Sequence, residues 1–180
     1  RGDIDPTAPL GSLSHASDLV QLLKNKGDFN VVGACYPEGH CEAKNLEDDI
    51  ENLRYKIGFG ATHLITQLFF DNDLFYTFLN KARETGINVP IEAGIMPIVT
   101  TRQIERTVAL SGASLPVEFT KMVNKYSNDD ASLYEAGIEY ATNQIINLLE
   151  NGVNGIHLYT MNNPDVANKI YANIKSVLKR

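Results

Sequence analysis

The amino-acid sequence predicts an α/β fold in which a parallel sheet is flanked by helices. Four short, mostly apolar runs alternate with longer stretches in which apolar residues recur every three or four positions. The first three runs begin roughly 30 residues apart, which is the length of a βα repeat. This alternation is typical of a doubly wound sheet or of part of a (βα)8 barrel.

The apolar runs are short enough to be strands, and their composition predicts that both faces of each strand are buried. They are NVVGACY (30–36), THLITQLFF (62–70), PIEAGIMPI (90–98) and GIHLYT (155–160). No G-x-G-x-x-G or Walker A pattern follows any of them, which argues against the nucleotide-binding doubly wound folds. A barrel normally needs eight strands, so a barrel assignment means that its first half is missing from this chain.

Helical periodicity predicts seven helices around these strands. They cover residues 17–26, 46–58, 73–86, 100–112, 116–126, 132–152 and a last segment from 163 onward. Gly86 stands where a C-terminal cap would fall. Asn163 and Pro164 read as an N-cap followed by proline at the first helical position. The predicted order is therefore α-βα-βα-β(ααα)-βα.

Composition excludes several classes of protein. The net charge is −6 and the isoelectric point is near 5.2, which argues against broad binding to nucleic acid or to anionic membranes. No apolar run reaches the roughly 18–20 residues of a membrane span, and no secretory signal is evident. Cys35 and Cys41 form no disulfide or zinc framework, and no metal site is predicted. We therefore expect a cytoplasmic protein, and we expect the natural start to lie upstream of Arg1.

The segment CYPEGHCEAKN (35–45) joins the first strand to the second predicted helix with several polar side chains. On that helix Asp49, Asn52 and Lys56 line up beside the apolar stripe because they are spaced three and four residues apart. With Tyr36 and His40 they fit a cradle for a nucleotide-like ligand at the carboxyl end of a strand. The same spacing also fits solvated helix charges and a surface loop, so spacing alone leaves both readings open.

Several motifs together resemble the methylenetetrahydrofolate reductases. The resemblance is carried by YPEGHCEAKNLEDDIENLRYK (36–56), THLITQLFFD, GIMPI and HLYTMN, with an opening RGD similar to the family's LRGD segment. The motifs follow family order over nearly the whole chain. The resemblance implies a FAD-containing (βα)8 barrel, of which residues 1–180 supply roughly the second half. It also implies reduction of 5,10-methylenetetrahydrofolate to 5-methyltetrahydrofolate in one-carbon and methionine metabolism, with NADH or NADPH as electron donor.

The resemblance further implies which residues contact FAD. They are Arg1, Gly2, Asp3, His15, Ala16, Tyr36, His40, Ala43, Asp49, Asn52 and Lys56. Asp3 is the predicted catalytic residue, and it would also contact the folate. Its charge would disfavour an anionic reduced flavin and stabilise a cationic iminium form of the substrate.

Three more residues are candidates for folate binding. The resemblance makes Gln67 a contact to the pterin and Gln103 a second substrate contact, although either amide could instead be satisfied structurally. Asn163 replaces an arginine that binds the acidic folate tail in many members, and its favoured role is the N-cap. Thr107 and Tyr55 also depart from the family, at a ligand-stacking phenylalanine and a phosphate-side arginine. His63 and His157 are read as structural.

The family's proton-donating glutamate belongs to the first barrel strand, which this sequence lacks. We therefore expect the chain alone to be inactive, and we expect a homo-oligomer or association with the missing amino-terminal half because two sheet edges would be open. The alternative is a non-catalytic flavin- or folate-binding fragment that needs a partner half. A different barrel enzyme with a phosphate-bearing ligand is a weaker possibility.

Overall fold

The computed structural model describes residues 13–178, apart from the side chains of residues 108–110. The described residues form four strands and seven helices in the predicted order. The elements are α1 (Ala16–Lys26), β1 (Val31–Cys35), α2 (Leu46–Gly58), β2 (Ala61–Thr66), α3 (Asn72–Glu84), β3 (Ile91–Ile95), α4 (Thr101–Ser111), α5 (Val117–Tyr126), α6 (Asp130–Glu150), β4 (Gly155–Leu158) and α7 (Pro164–Ile174).

The four strands form one parallel sheet in the order β1-β2-β3-β4. Gly33 pairs with Leu64, and Gly94 pairs with His157. Each strand therefore lies beside its neighbour in sequence, as in a βα barrel. The order of the described strands has no reversal, so it contains no switch point of the doubly wound kind.

The strands are shorter than the apolar runs that predict them. The predicted second and third strands extend to residues 70 and 98, whereas β2 ends at Thr66 and β3 at Ile95. The remaining apolar residues leave the sheet and are buried beneath helices. Phe69 packs in the main core, and Phe70 packs with Ile98 in a second cluster. Periodicity cannot separate these buried connections from strand, since both are apolar.

The prediction that both faces of each strand are buried is wrong for β1. Cys35 and Leu64, which face the helices, are buried, as is Ile91 on the same side of the sheet. On the opposite face Val32 is 52% exposed and Ala34 is also exposed, while His63 and Ile65 are only partly buried. Within residues 13–178 the helices therefore cover a single face of the sheet.

The uncovered face carries a row of polar side chains across three strands. His63 Nε2 lies 3.2 Å from Glu92 Oε1, and His157 Nδ1 lies 3.9 Å from Glu92 Oε2. Both histidines thus have a carboxylate partner within the sheet. No group of three potential metal-ligating side chains occurs among the described residues. No helix in the described part of the chain is long and apolar enough to cross a membrane.

Helix α6 supports the segments that follow β2 and β3. Gln144 Nε2 donates to the Phe69 carbonyl at 3.0 Å, and Tyr140 donates its hydroxyl proton to the Phe70 carbonyl at 2.7 Å. Gly137 lies directly against the main chain, because a Cβ at this position would stand 1.7 Å from the Ile98 carbonyl oxygen. This close approach fixes the connection that leads from β3 into α4.

Candidate functional site

The residues predicted to bind the cofactor meet in one cavity of about 520 Å³. Its walls come from the start of α1, the end of β1, the β1–α2 loop and one edge of α2. Eight of the eleven predicted cofactor residues line it: His15, Ala16, Tyr36, His40, Ala43, Asp49, Asn52 and Lys56. The other three, Arg1, Gly2 and Asp3, lie outside the described residues.

Local capping positions the α1 and α2 walls. The Asn45 side chain accepts the Asp48 amide at 2.8 Å and starts α2, which sets the rotation of its polar edge. At the start of α1 the Asp18 carboxylate accepts the amides of Ser14 and His15 at 2.8 and 2.9 Å. These amides lower the pKa of Asp18, so the ionised carboxylate holds this turn beside the cavity.

Main-chain contacts hold the imidazole of His40. Its Nδ1 accepts the Glu42 amide at 3.2 Å, so in the neutral ring the proton is on Nε2. The His40 amide in turn donates to Asp49 Oδ2 at 3.2 Å. The Tyr36 and His40 rings meet edge to face, with centroids 4.7 Å apart. The loop thus presents two fixed rings, and the imidazole keeps one N–H to donate.

Lys56 reaches from α2 across the end of β1. Its Nζ donates to the Ala34 carbonyl at 2.7 Å, and its stem passes over Gly33, where a Cβ would stand 3.0 Å from Lys56 Cδ. Burial lowers the pKa of Lys56, although the acidic groups of Cys35 and Asp49 oppose this effect. An anionic ligand would compensate the desolvated ammonium, since Lys56 is the one lysine or arginine among the described residues that line this cavity.

Burial also shifts the acidic groups of the cavity. It raises the pKa of Asp49, with opposing contributions from the His40 amide and Lys56. It raises the pKa of Tyr36, which Asp49 raises further, and it raises the pKa of Cys35 to about 12. The Cys35 thiol is therefore neutral at physiological pH, consistent with its reading as a small buried side chain.

Sequence reasoning missed several residues of this cavity: Ser14, Ser17, Ala34, Glu42 and Phe59. The two serines flank the predicted pair His15 and Ala16, so proximity could have suggested them. Ala34 and Phe59 carry no polar signal and are recognisable only once the fold is known. Tyr55, noted as a departure from the family, also lines the cavity.

Two of the predicted substrate residues, Gln67 and Gln103, meet in a second cavity of about 310 Å³. Its walls come from the segments after β2, β3 and β4 and from α4. They comprise Gln67, Leu68, Met96, Thr100, Arg102, Gln103, Arg106, Thr107, Ser111 and Met161. The cavity lies at the carboxyl ends of the strands, where parallel α/β folds bind ligands.

Gln67 lies one residue beyond β2, not within a strand as predicted. Its amide continues the sheet ladder by donating to the Cys35 carbonyl at 2.7 Å. Its side-chain Oε1 accepts the Leu68 amide at 3.0 Å. Its Nε2 donates to no described residue, so the amide group retains a donor for a ligand.

Gln103 has a structural task at the start of α4. Its Oε1 accepts the amides of Val99 and Thr100 at 2.8 and 3.1 Å, while the Gln103 amide donates to Thr100 Oγ1 at 3.3 Å. This reciprocal arrangement is a capping box. It fixes the side chain beside the cavity, and the Nε2 group makes no hydrogen bond to a described residue.

Asn163 is the N-cap of α7, as predicted. Its Oδ1 accepts the amides of Asp165 and Val166 at 3.1 and 3.3 Å. Asn163 does not line the second cavity. Thr107 does line it, is 6% exposed, and donates its hydroxyl proton to Met96 Sδ at 3.7 Å.

One side chain joins the loops that border the two cavities. The Glu38 carboxylate accepts the Ser114 amide with both oxygens, at 3.1 and 3.0 Å. Glu38 belongs to the β1–α2 loop, and Ser114 follows α4. A single sequence gives no signal for this contact, because it joins segments 76 residues apart.

The parallel sheet, its unbroken strand order and its ligand-sized cavities at the carboxyl ends of the strands place the chain among the βα-barrel type of α/β proteins. The family model for methylenetetrahydrofolate reductase matches residues 1–175. The chain therefore belongs to the methylenetetrahydrofolate reductase family.

Relatives in bacteria and plants agree with this membership. The chain is 36% identical over 153 residues to 5,10-methylenetetrahydrofolate reductase of Pectobacterium carotovorum subsp. carotovorum, covering 85% of this chain and 51% of that protein. It is 33% identical over 167 residues to the Escherichia coli (strain K12) enzyme, covering 93% and 56%. For methylenetetrahydrofolate reductase (NADH) 1 of Arabidopsis thaliana the identity is 36% over 163 residues, covering 84% and 28%. The chain spans about half the length of the bacterial relatives.

A solved structure shares the fold. It is an uncharacterized protein from Clostridium thermocellum described as binding two copies of 5-methyl-5,6,7,8-tetrahydrofolic acid. The TM-score is 0.60 at 20% sequence identity, covering 90% of this chain and 58% of that one. This similarity supports the architecture alone.

Proposed function

We propose that this chain carries FAD- and folate-binding sites of a methylenetetrahydrofolate reductase. The reaction is reduction of 5,10-methylenetetrahydrofolate to 5-methyltetrahydrofolate in one-carbon and methionine metabolism, with NADH or NADPH as electron donor. The observation that carries the proposal is the first cavity, in which eight side chains from separate elements converge at one strand end.

The residues of the first cavity fit a flavin dinucleotide. Lys56 offers a desolvated ammonium to a phosphate, and Asn52 offers an amide to a ribose or an adenine edge. Tyr36 and His40 offer ring surfaces and the Nε2–H donor. When bound, FAD would supply the hydride chemistry that links the nicotinamide donor to the one-carbon unit of the folate.

The second cavity fits the folate. Gln67 and Gln103 each keep an amide Nε2 donor for a heterocycle edge, and each side chain is fixed by a main-chain hydrogen bond. Fixed donors orient a ligand at little entropic cost. Asp3, outside the described residues, would be the carboxylate beside the reacting atoms.

A binding function without turnover is the second candidate. No carboxyl group from the described residues lines the cavity beside Gln67 and Gln103, so those residues offer no carboxylic acid there as a general acid. We infer that the four strands form roughly half of a barrel, which is completed by a partner half or by self-association. The uncovered sheet face and the outer edges of β1 and β4 support this inference.

Titration of the protein with FAD, followed by quenching of flavin fluorescence, tests the cofactor site. We expect a Kd in the micromolar range or tighter, and roughly 10–100-fold weaker binding for the double variant His40→Ala/Lys56→Ala, because a charge-assisted and a ring contact are lost. Lys26→Ala, which removes a lysine outside the cavity, is the matched control.

Folding of each variant is checked by circular dichroism. Equal FAD affinity for the wild type and the double variant would refute this cavity as the cofactor site. Turnover of NADH or NADPH with methylenetetrahydrofolate, measured with and without a complementary amino-terminal half, separates the reductase from the binding fragment.

A further inference from the structure

The second cavity has a cationic side formed by α4. Arg102 and Arg106 both line it, and both are exposed to solvent. They are spaced i, i+4 on one helix, so their side chains lie on the same face, with Cβ atoms about 6 Å apart. Two like charges at this spacing repel each other mildly, which favours an anion between them.

Neither guanidinium has a partner among the described residues. No ion pair and no side-chain hydrogen bond within residues 13–178 involves Arg102 or Arg106. The other two arginines among the described residues are engaged: Arg54 pairs with Glu51, and the partly buried Arg83 donates to the Ile87 and Val89 carbonyls. The two α4 arginines thus keep their fork-shaped donor sets for a ligand.

The same cavity also has apolar walls. Leu68, Met96 and Met161 supply aliphatic and thioether surface, and Thr107 is turned toward Met96 by its hydroxyl contact. Thioethers pack well against aromatic rings. A ligand that matches this cavity therefore has a flat apolar body and, a short distance from that body, an anionic end.

Folates have this two-ended form, with an aromatic p-aminobenzoyl group followed by glutamate carboxylates. Asn163, at the position expected to bind the acidic tail, does not line the cavity, and its Oδ1 caps α7. We propose that Arg102 and Arg106 bind the tail carboxylates of the folate, so that α4 recognises the acidic tail. This inference rests on the proposed function and adds the residues that determine tail affinity.

The test compares three ligands by isothermal titration: 6-methyltetrahydropterin, which has no tail, 5-methyltetrahydrofolate, and its triglutamate form. For the wild type we expect affinity to rise at least roughly tenfold from the pterin to the folate, and again with the triglutamate, because each carboxylate adds a charge-assisted contact. In the double variant Arg102→Gln/Arg106→Gln we expect an unchanged affinity for the pterin. The increase in affinity that the tail provides should fall at least roughly tenfold. The gain in the wild type also shrinks between 0.05 and 0.5 M salt, since screening weakens exposed charge contacts.

The matched control is Lys121→Gln/Lys125→Gln on α5, which removes the same charge at the same i, i+4 spacing outside the cavity. This lysine double variant should show the same increase in affinity from the tail as the wild type. If the tail increases the affinity equally in the wild type and in the arginine double variant, the inference is wrong, whereas the proposed folate binding still stands. If the wild type binds none of the three ligands, the proposed folate function fails and the inference fails with it.

Discussion

Asp49 is a carboxylate held in the first cavity at some cost to folding. Burial raises its pKa, and neither the His40 amide nor the charge of Lys56 fully offsets this effect. The folded chain therefore binds more protons than the unfolded chain as pH rises from 3.8 toward the raised value, and stability falls across that window. Below that window the stability that the protonated Asp49 side chain provides is fully present. At neutral pH this stability has been lost.

Asp49→Asn is accordingly expected to stabilise the protein at pH 7. The gain is on the order of 0.5 kcal/mol, because the carboxylate is only partly buried and solvent screens its charge. The asparagine Oδ1 can still accept the His40 amide. Urea unfolding at pH 3, 5 and 7 measures the difference, which should vanish at pH 3.

Asp28→Asn is the matched control, because the Asp28 side chain is fully exposed. It should leave the pH dependence of unfolding unchanged. A variant Asp49→Asn that is less stable than the wild type at pH 7 would show that the ionised carboxylate contributes net stability.

The residues of the two cavities differ in how far sequence could predict them. Asp49, Asn52 and Lys56 could be predicted as a set because helical spacing fixes their common edge. Arg102 and Arg106 share such spacing too, but nothing in the sequence shows that they lack acidic partners or that Met161 lines the same cavity. That information comes from contacts between distant segments.

At the scale of elements, α6 is fixed by its contact with the connection after β3. Gly137→Ala should destabilise the protein by about 1–3 kcal/mol or more, because the new methyl group would overlap the Ile98 carbonyl and force the helix outward. The free energy of unfolding from urea titration measures the effect.

Gly58→Ala is the control, since it also places alanine on a helical glycine. A Cβ at Gly58 meets no atom within 4 Å. This change should be neutral or stabilise the protein by up to about 1 kcal/mol, through the lower entropy of the unfolded chain. Equal effects of the two substitutions would contradict the close approach at Gly137.

Helix ends could be predicted more closely than strand ends. Asn163 starts α7 and Gly86 follows α3 in a left-handed conformation with φ of 86°, both by local chemistry that sequence displays directly. The ends of β2 and β3 depend on where the chain turns beneath α6. Phe69, Phe70 and Ile98 stay apolar there because helices bury them, so the sequence does not change character at the true strand end.

At the scale of the whole molecule, one face of the sheet is open within residues 13–178. Val32 lies on this face, and apolar composition alone could not reveal that no described helix covers it. An open face and two outer strand edges favour association. We expect the purified chain to have a mass above the 19.9 kDa of a monomer.

Val32→Lys should weaken that association at least roughly tenfold, because a buried ammonium without a partner is costly. Light scattering after size exclusion, over a range of protein concentrations, measures the mass. Val117→Lys is the control, since Val117 is 69% exposed on α5, away from the open face. Loss of association in both variants would point to a general effect of charge.

The hydrogen bonds between Glu38 and Ser114 have a consequence for how the two cavities respond to ligands. They tie the loop that borders the first cavity to the segment that ends α4, so ordering of one restricts the other. With both cavities filled as proposed, the two binding events share a coupling free energy. Reciprocity then requires FAD to change the affinity for folate by the same factor as folate changes the affinity for FAD.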